Sequence, residues 1–171
     1  MKKTISLCLV LICIIVMLCG CGTNEIQQQT QEPADVSSND ITGPVDLTVL
    51  RESVIDQLEI SDPLTLESSV LVDLYGIGED LIAQSGCFVT MSGTFPDEVL
   101  LIEAIDPTAA TVIAEKLQGR LDEVLVQSKT YDAENYAAAQ NCKVTQCGSY
   151  VTLILSPKQA EIAEICQVIM K

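Results

Sequence analysis

Lys143-Val144-Thr145-Gln146-Cys147-Gly148-Ser149-Tyr150-Val151-Thr152-Leu153-Ile154-Leu155 is the stretch that decides the fold. Its flanks are rich in β-branched and apolar residues, and Gly148-Ser149 is a two-residue loop that favours a type II′ turn. The pattern predicts a hairpin in which Val144 lies opposite Leu153 and Cys142 opposite Leu155, with Cys147 on the other face beside Tyr150. Ser156-Pro157 follows as a cap-plus-proline helix start. Ile162, Ile165, Cys166 and Ile169 then form one apolar stripe at helical spacing. The C-terminal unit therefore reads ββα.

Upstream, the same unit recurs. Cys87, Val89 and Met91 alternate with Phe88, Thr90 and Ser92, as in a strand with one face buried. Turn residues 93–97 lead into Glu98-Val99-Leu100-Leu101-Ile102-Glu103-Ala104-Ile105, a nearly continuous apolar run suited to a central strand. Asp106 caps and Pro107 opens a helix that carries Ile113, Leu117, Leu121, Val124 and Leu125 to about Ser128. An Ala-rich helical turn or two over 131–139 ends at Gln140-Asn141. Before these units, residues 46–59 read as an amphipathic helix with Leu47, Leu50, Val54 and Leu58 on one stripe and Asp46 as N-cap. Residues 64–74 read as a short helix or irregular packing segment. The expectation is an α+β domain with N-terminal helices and a largely antiparallel four-stranded sheet built from two ββα units, helices packed on one face. Residues 87–92 are expected to form an exposed edge strand able to accept another strand.

The N-terminus points to an address. Met1-Lys2-Lys3 is a short cationic region, and residues 7–18 are an apolar stretch of signal-peptide length, too short for a comfortable membrane span. Leu18-Cys19-Gly20-Cys21 resembles the lipobox of bacterial lipoproteins, in which small residues precede a cleavage and the next cysteine takes a diacylglyceryl group. Residues 1–20 are expected to be removed, and Cys21 to be lipidated and to hold the protein at the outer face of the membrane. Residues 22–45 are rich in Gln, Ser, Thr, Asn and Pro with no apolar period, so residues 21–45 are expected to be a flexible tether, reaching roughly 25–30 Å as a random coil. Residues 46–171 then make a single domain.

Composition narrows the activity. The formal net charge is −15. Losing Lys2 and Lys3 with the signal takes it to −17, because residues 1–20 hold no Asp or Glu. So acidic a chain is not built for nucleic acid or anionic headgroups, which need Lys and Arg patches. It suits solubility, or a cationic partner. There is no histidine, which removes the commonest general base and metal ligand. Beyond Cys21 four cysteines remain: Cys87, Cys142, Cys147 and Cys166. No C-x-x-C occurs, so no redox or zinc motif is visible. An even number outside the cytoplasm permits disulfides, and small buried thiols are the competing reading. Cys87, Cys142 and Cys166 lie on expected core faces and are the candidate disulfide set. Cys142 and Cys147, an odd number of positions apart in one strand, face opposite ways.

Asp73-Leu74-Tyr75-Gly76-Ile77, then Asp97-Glu98-Val99-Leu100-Leu101-Ile102, then Gly148-Ser149-Tyr150-Val151 with its strand and terminal helix form an ordered set. Over residues 47–171 the chain resembles a family of small lipoproteins of Gram-positive bacteria that is catalogued as a domain of unknown function. The resemblance implies a location and a domain boundary. It implies no activity, cofactor or catalytic residue.

Candidate binding residues are Tyr75, Gly76 and Tyr150. Tyr75-Gly76-Ile77-Gly78 reads either as a ligand-contacting loop or as a helix-to-strand turn with one aromatic packed as a plug. Tyr131, Tyr136 and Tyr150 read as an aromatic patch or as half-buried packing. The adjacent carboxylates Glu79-Asp80, Asp97-Glu98 and Asp122-Glu123 point apart on a helix or strand and are not acid/base dyads. No calcium loop, nucleophile elbow or phosphate-cradling glycine loop is present, and no cofactor or metal is implied. The expected role is that of an envelope lipoprotein binding another envelope protein or a peptide. The alternative is a small-ligand-binding accessory to a transporter or cell-wall enzyme, and an enzyme using Cys147 or a carboxylate ranks third.

Overall fold

A computed structural model describes residues 44–93 and 95–171. The expected signal peptide, Cys21 and almost all of the tether lie outside the described residues. Helix α1 (Leu47–Gln57) starts where Asp46 Oδ1 accepts from the backbone N–H groups of Thr48 at 2.8 Å and Val49 at 3.2 Å. Its buried residues are Leu47, Leu50 and Val54, one stripe at spacings of three and four. Strand β1 (Pro63–Leu66) follows, opened by a proline, which an outer strand tolerates at its first position. Helix α2 (Ser68–Tyr75) leads through a 3-10 turn into β2 (Ile82–Ser85) and β3 (Cys87–Thr90). Then come β4 (Glu98–Ala104), the long α3 (Pro107–Tyr131) and the short α4 (Ala133–Ala139). The hairpin β5 (Val144–Cys147) and β6 (Tyr150–Leu155) precedes α5 (Gln159–Ile165) and a closing 3-10 turn over Cys166–Ile169.

Every strand pairing is antiparallel, and the sheet has six strands in the order β1-β3-β4-β6-β5 with β2 also on β4. The hairpin register has Val144 opposite Leu153 and Cys147 opposite Tyr150. Gly148 has φ +58° and Ser149 does not share the positive region, as a II′ turn requires. Cys142 lies in the turn before β5 rather than in the ladder, so it is not paired with Leu155, although both are buried in the core cluster under α3.

Four corrections to the expected architecture follow, each with a cause. The sheet gains β1 and β2 because both are four-residue strands, too short to declare a period. Residues 64–74 therefore divide between β1 and α2. The edge at residues 87–92 is covered, since β1 pairs along β3 from Pro63 opposite Thr90 to Leu66 opposite Cys87. Helices pack on both faces of the sheet. Leu100, Ile102, Val151 and Leu153 meet Ile113, Leu117 and Leu121 of α3 on one side. Val99, Leu101, Phe88 and Ile154 meet Leu47, Leu50 and Val54 of α1, with Ile162 and Cys166, on the other. A strand buried on both faces loses its alternation, which is why β4 reads as a continuous apolar run.

Two details fix the layer of α1. A Cβ on Gly86 would lie 2.0 Å from the Leu47 carbonyl oxygen, so only glycine lets the helix backbone sit so close to the sheet. Gln84 reaches across to the helix start. Its Oε1 accepts from Leu47 N–H at 3.0 Å, and its Nε2 donates to Val45 O at 2.7 Å and to Glu103 Oε2 at 2.5 Å. The other end of the chain differs from expectation in one respect. Ser156 lies two residues before the N-cap Lys158 rather than at the cap position: its Oγ accepts from the Lys158 N–H at 2.9 Å, its hydroxyl donates to Asp97 Oδ1 at 2.5 Å, and the helix starts after Lys158.

Candidate functional site

A cavity of about 630 Å³ opens at the end of the sheet where α2, the β3–β4 connection, α3 and α4 converge. Each wall has a local cause. Helix α2 stops at Tyr75 because Gly76 takes a left-handed conformation at φ +65°, and Gly76 N–H to Val72 O at 3.0 Å and Ile77 N–H to Leu71 O at 3.2 Å close the turn. That stop leaves Leu74 and Tyr75 facing the cavity. The β3–β4 connection brings Met91, Phe95, Pro96 and Asp97. It is tied down by Thr90, whose Oγ1 accepts from Asp97 N–H at 2.8 Å, and by the Ser156–Asp97 bond. The second half of α3 contributes Arg120, Val124, Gln127, Ser128 and Tyr131, and the start of α4 adds Asp132 and Asn135.

Glu98 and Arg120 hold the polar side of this cavity. Strand alternation puts Glu98 on the same face as Leu100 and Ile102, where its residue is only 8% exposed. A buried carboxylate there demands a partner. Arg120 supplies a fork: Nε donates to Oε1 at 2.9 Å and Nη2 to Oε2 at 2.8 Å. Hydrogen bonding to Glu98 raises the guanidinium pKa above its ordinary value, against the opposing effect of burial. Tyr75 stands beside the pair. Burial, then the charge of Glu98 and a hydrogen bond to it, push its phenol well above the ordinary range. It therefore stays protonated as a donor. The Ser128 hydroxyl donates at 2.6 Å to the Val124 carbonyl of its own helix. The lining contains no Cys and no Lys. What this arrangement can do is hold an amphipathic body against apolar walls, with a few polar groups fixing its orientation.

The candidate residues separate. Tyr75 lines the cavity, and Gly76 shapes the turn that presents it. Tyr150 packs against the opposite core layer, near Glu103 and Val45, and is not brought to Tyr75. Of the three tyrosines read as a patch, only Tyr131 lines the cavity. All four cysteines of the domain are free thiols. Cys87 donates to Leu101 O at 3.6 Å and Cys142 to Ala138 O at 3.5 Å, both in the α3 layer, while Cys166 lies across the sheet in the α1 layer. Burial pushes the Cys87 and Cys166 thiols up to about 12. Among the described residues, no group of three His, Cys, Asp or Glu side chains could hold a metal ion.

Sequence reasoning missed the pair at the centre. One signal was present: Arg120 falls three residues after Leu117 and four before Val124, on the apolar stripe itself. An arginine in that position needs a buried carboxylate. Nothing local says that the carboxylate is Glu98, which is 22 residues away.

Fold and cavity together define a two-sided antiparallel α+β sandwich with a pocket over a buried carboxylate–guanidinium pair. The chain belongs to the family described as a domain of unknown function (DUF4358), whose model matches residues 56–156, more than half of its length. Residues 73–77, 97–102 and 148–151 with the following strand fall inside that match, whereas the terminal helix lies beyond it. No curated protein and no solved structure matches the chain.

Proposed function

We propose that the protein is an envelope lipoprotein, anchored through Cys21, whose domain binds a small ligand in the cavity beside Tyr75, Glu98 and Arg120. It would serve as an accessory to a transporter or cell-wall enzyme. One observation carries the binding reading: a cavity of about 630 Å³ combines apolar walls with a few fixed polar groups. Native mass spectrometry of the protein purified from its own membrane tests it. A small mass that travels with the wild-type chain, and is lost in a cavity-filling Val124→Trp variant, is the expected result. Identical spectra for the two chains overturn the reading.

Anchoring rests on the basic Lys2-Lys3, the apolar 7–18 and Leu18-Cys19-Gly20-Cys21. Cys21→Ala is expected to release the protein or leave it uncut; unchanged membrane retention and mature mass would count against the anchor.

A second reading, a module that docks another envelope protein or a peptide, loses its motive at residues 87–92. It keeps support from the apolar rim of the cavity, where Leu74, Met91 and Tyr131 are exposed. In-cell crosslinking from Met91 separates the two: a captured protein favours docking, and its absence favours the small ligand.

A further inference from the structure

We propose that the cavity takes a small organic cation with an apolar body, an amine or quaternary ammonium; this rests on the cavity being a binding site.

The aromatic residues point there first. The chain has two Phe, four Tyr and no Trp. Three of those six rings, Tyr75, Phe95 and Tyr131, line this one cavity. Tyr131 is 87% exposed, so core packing does not account for its place at the rim. Ring faces attract cations, and they do so most where water is partly excluded.

The charges point the same way. The charged lining residues are Asp97, Glu98 and Asp132 against Arg120. Arginine is the natural anchor for an anion, but here its Nε and Nη2 are already committed to the two oxygens of Glu98. With that pair neutralised, Asp97 and Asp132 leave the cavity net negative. Asp132 accepts from the backbone N–H groups of Glu134 and Asn135, both at 3.1 Å, so its carboxylate is fixed at the start of α4. A chain of net charge −15 also draws cations toward the cavity and repels anions. Leu74, Val89 and Leu155 offer the surface for an apolar body.

Three probes of one shape make the test: benzyltrimethylammonium, its uncharged carbon isostere neopentylbenzene, and phenylmethanesulfonate. Each is titrated into the mature full chain while the NMR signals of Phe95, Val124 and Tyr131 are followed. The cation is expected to bind about tenfold more tightly than the isostere, the sulfonate most weakly, and the preference to shrink with salt. Asp132→Asn keeps the cap, because Asn caps as well as Asp. It is expected to weaken the cation about threefold and leave the isostere unchanged, and Tyr131→Leu should do the same. Equal binding of cation and isostere, or tighter binding of the sulfonate, overturns the ligand class and leaves the cavity as a binding site. Cation binding indifferent to both variants also overturns the class. No shift from any of the three probes overturns both readings.

Discussion

Gly86 carries more of this fold than its size suggests. The Leu47 carbonyl sits where its Cβ would be, and a backbone atom cannot step aside as a side-chain tip could. Gly86→Ala is expected to cost about 1–3 kcal/mol, as overpacking of a tight contact does, read as a lowered urea midpoint with unchanged slope. The buried thiols give the residue scale a pH dependence. Cys87 and Cys166 are raised from 9.0 to about 12, so above pH 9 the unfolded chain loses protons that the native chain keeps. Their contribution is intact below the unfolded value and drains as pH rises toward the folded one, at up to ~1.4 kcal/mol per pH unit per thiol. Tyr75, raised from 10.0, steepens the loss further. Denaturant midpoints taken through the alkaline range should fall, and a Cys87→Ala, Cys166→Ala double variant should flatten that fall. No flattening would mean that these thiols do not titrate as free buried groups.

Helix α1 shows how an element can be legible while its placement is not. Its stripe and its Asp46 cap are local, and both are readable from residues 46–59. Its position over the sheet depends on Gln84, whose amide satisfies the first helical N–H, that of Leu47, and the Val45 carbonyl two residues earlier. Gln84→Ala is expected to cost about 1–2 kcal/mol, because it strands groups that are partly buried. Hydrogen exchange should quicken in α1 while β4 and β6 stay protected; uniform quickening would place the loss elsewhere. Ser156 teaches the complementary lesson. A serine before a proline reads as a helix cap, yet its hydroxyl bridges to Asp97 across 59 residues and holds the cavity's loop. The same oxygen accepts from the Lys158 N–H at 2.9 Å, so the local contact at the helix start and the tertiary one coexist.

Across the whole molecule, the two apolar layers are not equally represented in the family match. Residues 56–156 include most of what packs against α3, but they begin in the last turn of α1 and end before α5. A chain trimmed to that range lacks Leu47, Leu50, Val54, Ile162, Cys166 and Ile169, and uncovers Phe88, Val99, Leu101 and Ile154. At about 1.5–3 kcal/mol for each large apolar side chain, the loss rivals the roughly 5–15 kcal/mol stability of a typical domain. The trimmed chain should bind a hydrophobic dye and unfold without a cooperative transition, whereas residues 44–171 should melt as one unit. A sharp transition in the trimmed chain would make the α1 layer dispensable.

The α+β class, the β5–β6 hairpin with its register and the cap of α3 were decided by the sequence alone. Each depends on residues a few positions apart: Gly148-Ser149 between two strands, or Asp106 before Pro107. The continuous apolar run of residues 99–102 already carried the mark of two-sided burial. The tertiary structure alone decided which short segments joined the sheet, that α1 and α5 cover one face while α3 covers the other, and that Glu98 meets Arg120. Four-residue strands hold too few positions to show a period, and β1 becomes a strand only because β3 offers it a ladder. The cavity is likewise a meeting of α2, α3, α4 and the β3–β4 connection. No single element contains it, so no local pattern could announce it.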